Sequence, residues 1–211
     1  MQITKPSFFE TKIEDKFYVL TSKNEKEKSK VLIKDIDLNF IQFHFVIEGK
    51  AIFSFNNGAY KMDVSTNRYI VLYNPKKNLP VNAEILSKSY VMSVLISIKK
   101  FHKLFSEDSN NIQFLKEEKN KQKYYYENKI SNKIFLFLNE LKRLNLNSST
   151  KNLFIKAKIY ELFSHLYNRN IDQNIEQCPF LNNEENFKKI QKAKNIVINN
   201  MTTPPTLIEL S

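Results

Sequence analysis

Residues Phe40-Ile41-Gln42-Phe43-His44-Phe45-Val46-Ile47-Glu48 are followed by Gly49 and Lys50, then by Ala51-Ile52-Phe53-Ser54-Phe55. Runs this rich in β-branched and aromatic side chains, joined at a glycine that takes positive φ without steric cost, read as two strands and a tight turn. Alternation on the first strand places Gln42, His44, Val46 and Glu48 on one face and Phe43, Phe45 and Ile47 on the other. If the mixed face points inward, the interior is polar with Glu48 and His44 as its charged and titratable members. The opposite assignment fills the interior with Phe43, Phe45 and Ile47.

Shorter runs continue the pattern: Tyr60 to Asp63, Arg68 to Tyr73 and Tyr90 to Ile98. Asn56-Asn57-Gly58 and Asn74-Pro75 supply turn chemistry between them. Short strands at spacings near ten residues argue for a barrel or sandwich from about Val31 to Ile98. In the last run Val91, Ser93, Leu95 and Ser97 share one face, and Met92, Val94, Ile96 and Ile98 the other.

After Lys99 the apolar period lengthens from two to 3.6. Lys99 to Phe105 and Ile112 to Lys116 read as short helices, whereas Glu117 to Lys129 is too charged and tyrosine-dense to assign. Ser131 can cap a helix to about Leu144 with Leu138 and Leu141 in its stripe, and Ser148 or Ser149 one to about Tyr167. The second stripe, with Ile155, Ile159, Leu162 and Leu166, is wide enough to need more than one packing partner. Intrachain core and a four-helix contact between two copies both satisfy it.

Residues 171–183 are polar, contain Pro179 and read as a linker. Asn183 caps a helix from about Glu184 to Met201, which Pro204 and Pro205 stop. Thr206 and Glu209 then form a capping box, T-x-x-E, one turn before the last residue, Ser211. A good helix start with no helix behind it leads us to expect a chain cut inside a second domain.

Composition excludes several classes. With 211 residues, average usage would give about 15 glycines, and there are two, Gly49 and Gly58. Neither a P-loop nor a dinucleotide fingerprint can be written with them. The single cysteine, Cys178, cannot form an internal disulfide, and the first thirty residues lack a basic start with an apolar run behind it, so a cytoplasmic setting is expected. No stretch approaches 18 uninterrupted apolar residues. Near the turn only His44 and Glu48, four positions apart, could ligate a metal, Gln42 could not, and no histidine occurs between Arg68 and Ile98 to complete a set of three, so no metal, cofactor or catalytic residue is expected. The formal charge of +11 is dispersed, net +4 over residues 1–98 and net +7 over 99–211. Its densest patch is Lys188, Lys189, Lys192 and Lys194; on a helix Lys188, Gln191 and Lys192 form a row suited to phosphates, or to water.

These residues resemble a known family. Asn186-Phe187-Lys188-Lys189-Ile190-Gln191-Lys192-Ala193-Lys194-Asn195-Ile196-Val197-Ile198, followed by Met201-Thr202-Thr203-Pro204-Pro205-Thr206-Leu207-Ile208-Glu209-Leu210, resembles the opening of an AraC-family DNA-binding domain. Phe43 to Ala51 is similar to a strand-turn-strand of that family's cupin-like sensor domain. Leu72-Tyr73-Asn74-Pro75 and Cys178-Pro179-Phe180-Leu181 resemble the subgroup similar to the pyochelin regulator PchR.

The resemblance implies an α+β chain. A cupin-like double-stranded β-barrel (1–98) binds a small-molecule effector, a helical region (99–170) makes a homodimer, and the linker (171–183) leads to an incomplete helix-turn-helix domain (184–211). It places Gln42, His44, Glu48, Ser93, Leu95 and Ser97 at the effector. Leu138, Leu141, Ile155, Ile159, Leu162 and Leu166 then make the dimer contact, and Lys188, Gln191 and Lys192 meet DNA phosphates. With both recognition helices beyond Ser211, DNA binding by this chain is expected to be weak and without sequence preference. The alternative from another class is a metal-dependent cupin enzyme, a dioxygenase or isomerase.

Overall fold

The computed structural model describes residues 8–105, 123–143 and 150–167. The chain divides into two units, Met1–Asn168 and Arg169–Ser211, and all described residues belong to the first. The linker, the basic helix with Lys188, Gln191 and Lys192, the capping box and Cys178 lie outside them.

Among the described residues ten strands and three helices follow in order: β1 Phe9–Glu14, β2 Phe17–Asn24, β3 Lys30–Lys34, β4 Phe40–Glu48, β5 Lys50–Phe55, β6 Tyr60–Ser65, β7 Arg68–Tyr73, β8 Val81–Ile85, β9 Ser89–Ser97, α1 Ile98–Leu104, β10 Tyr124–Lys129, α2 Asn132–Lys142 and α3 Thr150–Tyr167. Every strand pairing is antiparallel. Six strands form one sheet in the order β1-β2-β9-β4-β7-β10, and four form another in the order β3-β8-β5-β6. The class is α+β.

β4 and β9 lie side by side in the larger sheet, with Gln42 opposite Leu95 and His44 opposite Ser93. All nine residues of β9 are buried, as are seven of the nine in β4, because both faces of the sheet are covered. One face, with Phe43, Phe45, Ile47, Met92, Val94 and Ile96, packs beneath the helices. The other, with Leu20, Val46, Ile70, Leu72, Val91 and Leu95, meets Leu32, Ala51, Phe53, Val64 and Ala83 of the smaller sheet. Phe43, Phe101 and Phe163 join β4, α1 and α3 with ring centroids 5.1–5.7 Å apart.

The structure departs from the sequence reading in the sheets, where β3 and β8 join the runs read above, and in the packing of the helices. β1 and β2 extend the sheet into the first thirty residues, and β10, in the stretch left unassigned, pairs with β7. Sheet structure therefore does not stop at residue 98. Leu138, Leu141, Ile155, Ile159 and Leu162 are buried in the chain's own core, and Leu166 packs against it. α2 and α3 place those six in or against the chain's own core; the large apolar residues these helices leave exposed are Leu136, Leu153 and Phe154.

Candidate ligand site

Between the sheets, in a mainly apolar core, Gln42 and His44 on β4 and Ser93 on β9 form one connected row of polar groups. Their exposures are 1%, 0% and 1%. His44 Nδ1 lies 2.7 Å from Ser93 Oγ, and His44 Nε2 lies 3.1 Å from Gln42 Oε1. Gln42 Nε2 donates to the backbone carbonyl of Leu79 at 2.5 Å. That last bond fixes the direction of the others. Because the glutamine nitrogen donates to a carbonyl, its oxygen faces histidine and accepts there. Nε2 of His44 therefore carries the proton, and the Ser93 hydroxyl donates to Nδ1.

Burial pushes the His44 imidazole down to about 3. The apolar surroundings disfavour the charged ring, its bonding partners among the described residues are the neutral Ser93 and Gln42, and the Phe53 ring lies 4.7 Å from it centroid to centroid. A neutral histidine with both nitrogens engaged is neither a poised base nor a free metal ligand. Among the described residues no three His, Cys, Asp or Glu side chains come together to hold a metal.

Leu95, fully buried in the core between the sheets, belongs to the same face. The other two expected residues do different work. The pairing of β4 with β9 shifts register between Val46 and Glu48, so strict alternation fails at that point. Glu48 is exposed and paired with Lys142 at the end of α2, whose ammonium sits 5.3 Å from the Tyr90 ring. Ser97 caps α1, its hydroxyl accepting from the Lys100 backbone N–H at 3.4 Å. Sequence reasoning missed Leu79, whose carbonyl ends the row. It sits in the 74–80 connection, where nothing in the local pattern marks it.

No family model matches the chain, and no curated protein does. Solved structures similar to it include ToxT from Vibrio cholerae strain SCE256. An apo variant shows 12% identity and a TM-score of 0.48 over 92% of this chain and 69% of that one. A form with bound unsaturated fatty acid gives 13% and 0.39 over 92% and 67%. The AraC-like transcriptional activator CuxR gives 6% and 0.41 over 93% and 64%. An RmlC-like cupin protein from Desulfovibrio desulfuricans gives 10% and 0.33 over 46% of this chain and 92% of that one. These likenesses are weak, and the chain's own residues carry the functional argument.

Proposed function

We propose that the chain is the sensor and dimerisation region of a ligand-responsive, cytoplasmic bacterial transcription regulator of the AraC type, akin to the pyochelin-regulator subgroup. Its effector binds between the two sheets of a cupin-like barrel, at Gln42, His44, Ser93 and Leu95. The single observation that carries the effector site is the Ser93–His44–Gln42 row. Burying three polar side chains in an apolar core costs more than apolar residues of the same shape would, so stability alone does not account for it. The regulator assignment is supported by the order of the sequence motifs: strand-glycine-strand first, then the basic run at 186–198 and Pro-Thr-Leu-Ile-Glu-Leu at 205–210. Lys188, Gln191 and Lys192 are proposed to meet DNA phosphates. A second copy is proposed to pack on the solvent face of α2 and α3 through Leu136, Leu153 and Phe154, exposed by 66%, 67% and 37%.

The test is a thermal-shift screen of the purified chain against uncharged and charged small molecules, run in parallel on Ser93→Ala. The proposal expects compounds that raise the melting temperature of the natural chain and lose that effect in the variant. Compounds that stabilise both equally contradict the site, and a screen without stabilisers contradicts the sensor role.

A further inference from the structure

The connection between β7 and β8, residues 74–80, crosses from the larger sheet to the smaller. Asn74 folds its start, its side-chain oxygen accepting from the backbone N–H groups of Lys76 at 3.0 Å and Lys77 at 3.3 Å. Its far end turns inward at Leu79. The side chain packs against the core between the sheets, and the carbonyl takes the Gln42 amide.

Three features of the polar row bear on what could replace Leu79. Every donor points the same way, from Ser93 to His44 to Gln42 to Leu79, so the row ends on a donor seeking an acceptor. Leu79 is the row's only member outside a strand, so it is the member that can leave for water without stranding a side chain inside the sheet. Among the described residues the buried polar groups are Ser22, Asn24, Gln42, His44, Ser89, Ser93 and Ser97, and none carries a charge at neutral pH. A charged molecule placed among them would lose its hydration with no buried counter-charge to replace it, since Lys76 and Lys77 of the connection are exposed.

We infer that residues 74–80 are a latch over the space between the sheets, held by Gln42, and that the effector is an uncharged molecule that takes Leu79's place. It presents a carbonyl-type oxygen to the Gln42 amide and an apolar body where the leucine side chain packs. The inference rests on the effector reading of this core and adds its ligand class and its gate.

Octanamide and octanoate test it, because they share an apolar tail and differ in charge at pH 7.5. Octanamide is expected to raise the melting temperature by about 3 °C at concentrations well above its dissociation constant, and octanoate to leave it unchanged. In Gln42→Met the octanamide shift disappears, and hydrogen exchange over residues 74–80 becomes roughly fivefold faster from loss of one hydrogen bond. In Leu79→Ala, which leaves the polar row intact but weakens the resident occupant, the octanamide shift grows. Stabilisation by octanoate equal to that by octanamide overturns the uncharged class while leaving the effector site standing. No shift with either probe, or a Leu79→Ala response equal to that of the natural chain, overturns the inference. The sensor reading is judged independently by the Ser93→Ala screen.

Discussion

Asparagine does much of the turning in a chain with two glycines. Asn39, Asn56, Asn57 and Asn67 all have φ between 51° and 70°, in the left-handed region that asparagine tolerates better than other non-glycine residues. The two glycines are not equivalent. Gly49 has φ 69°, and a Cβ there would lie 2.1 Å from Ser89 Oγ and 2.9 Å from the Lys88 carbonyl, while Gly58 has φ 88° and open space around it. Gly58→Ala is expected to cost about 1 kcal/mol in backbone strain, and Gly49→Ala about 3 kcal/mol because the clash adds to it. Urea unfolding measures both, and equal losses contradict the packing at Gly49.

His44 gives a second residue-scale expectation. Its ring is held at about 3 in the folded chain against 6.5 when unfolded. Between those values the unfolded state binds more protons, so stability is full above pH 6.5 and falls as pH drops toward 3. Glu14, lowered from 4.5 to about 2 first by hydrogen bonding to Lys100 and then to Lys156, loses its contribution only below pH 4.5. Between pH 6.5 and 4.5 His44 therefore supplies a slope that Glu14 does not, approaching about 1.4 kcal/mol per pH unit. His44→Gln is expected to flatten urea stability over that window, and an unchanged slope contradicts the neutral buried ring.

At the scale of elements, Glu14 fastens three of them together. At the end of β1 it pairs with Lys100 of α1 and Lys156 of α3 and accepts from the Tyr160 hydroxyl at 3.3 Å, while the Tyr160 ring stacks on Phe17 at 6.1 Å. Its side chain is 27% exposed, so water screens the pairs and their worth is modest. Glu14→Gln is expected to cost about 1 to 2 kcal/mol and to speed hydrogen exchange in α1 and α3 while leaving β4 protected. Uniformly faster exchange would mean that the cluster holds the whole fold rather than these helices.

What the sequence disclosed follows the same physical lines. α2 was legible because Ser131 caps it, its hydroxyl accepting from the Ile134 N–H at 3.3 Å, and because Ile134, Phe135, Leu138 and Leu141 recur at helical spacing; the structure buries Phe137 with Ile134, Leu138 and Leu141 and leaves Phe135 half-buried. β4 and β9 were legible because six of the nine residues in each are apolar, mostly β-branched or aromatic, and because Gly49 marks the turn after β4. β10 was not. Tyr-Tyr-Tyr-Glu-Asn-Lys has no alternation, and it becomes a strand by pairing with β7 and by an ion pair of Glu127 with Arg68 at 2.6 Å. β1 hides behind Glu10, Lys12 and Glu14, while β2, whose apolar start Phe17-Tyr18-Val19-Leu20 is short, gains its burial from pairing with β9, some seventy residues further along the chain. Alternation put Gln42 with His44 and Ser93 with Leu95, and the structure turns both pairs toward the core between the sheets; it failed at Glu48, where the register shift intervenes.

At the scale of the whole molecule, the described residues form two apolar layers that share the larger sheet, one under the helices and one between the sheets. The first layer absorbs the residues that the sequence reading gave to dimerisation, which moves the proposed second copy onto the opposite side of α2 and α3. Sedimentation velocity at micromolar concentration is expected to show a dimer that Leu153→Glu dissociates. A monomer in the natural chain contradicts that interface.

The second layer carries the functional account, and its centre is one imidazole in one tautomer. NMR of the chain labelled with 15N-histidine, recorded from pH 4.5 to 8 with and without octanamide, reads it directly. The account predicts that His44 stays neutral with its proton on Nε2 across that range, and that octanamide shifts the His44 signals while those of His102 and His165 stay in place. A His44 ring that titrates near 6.5, or one that octanamide leaves untouched, would contradict it.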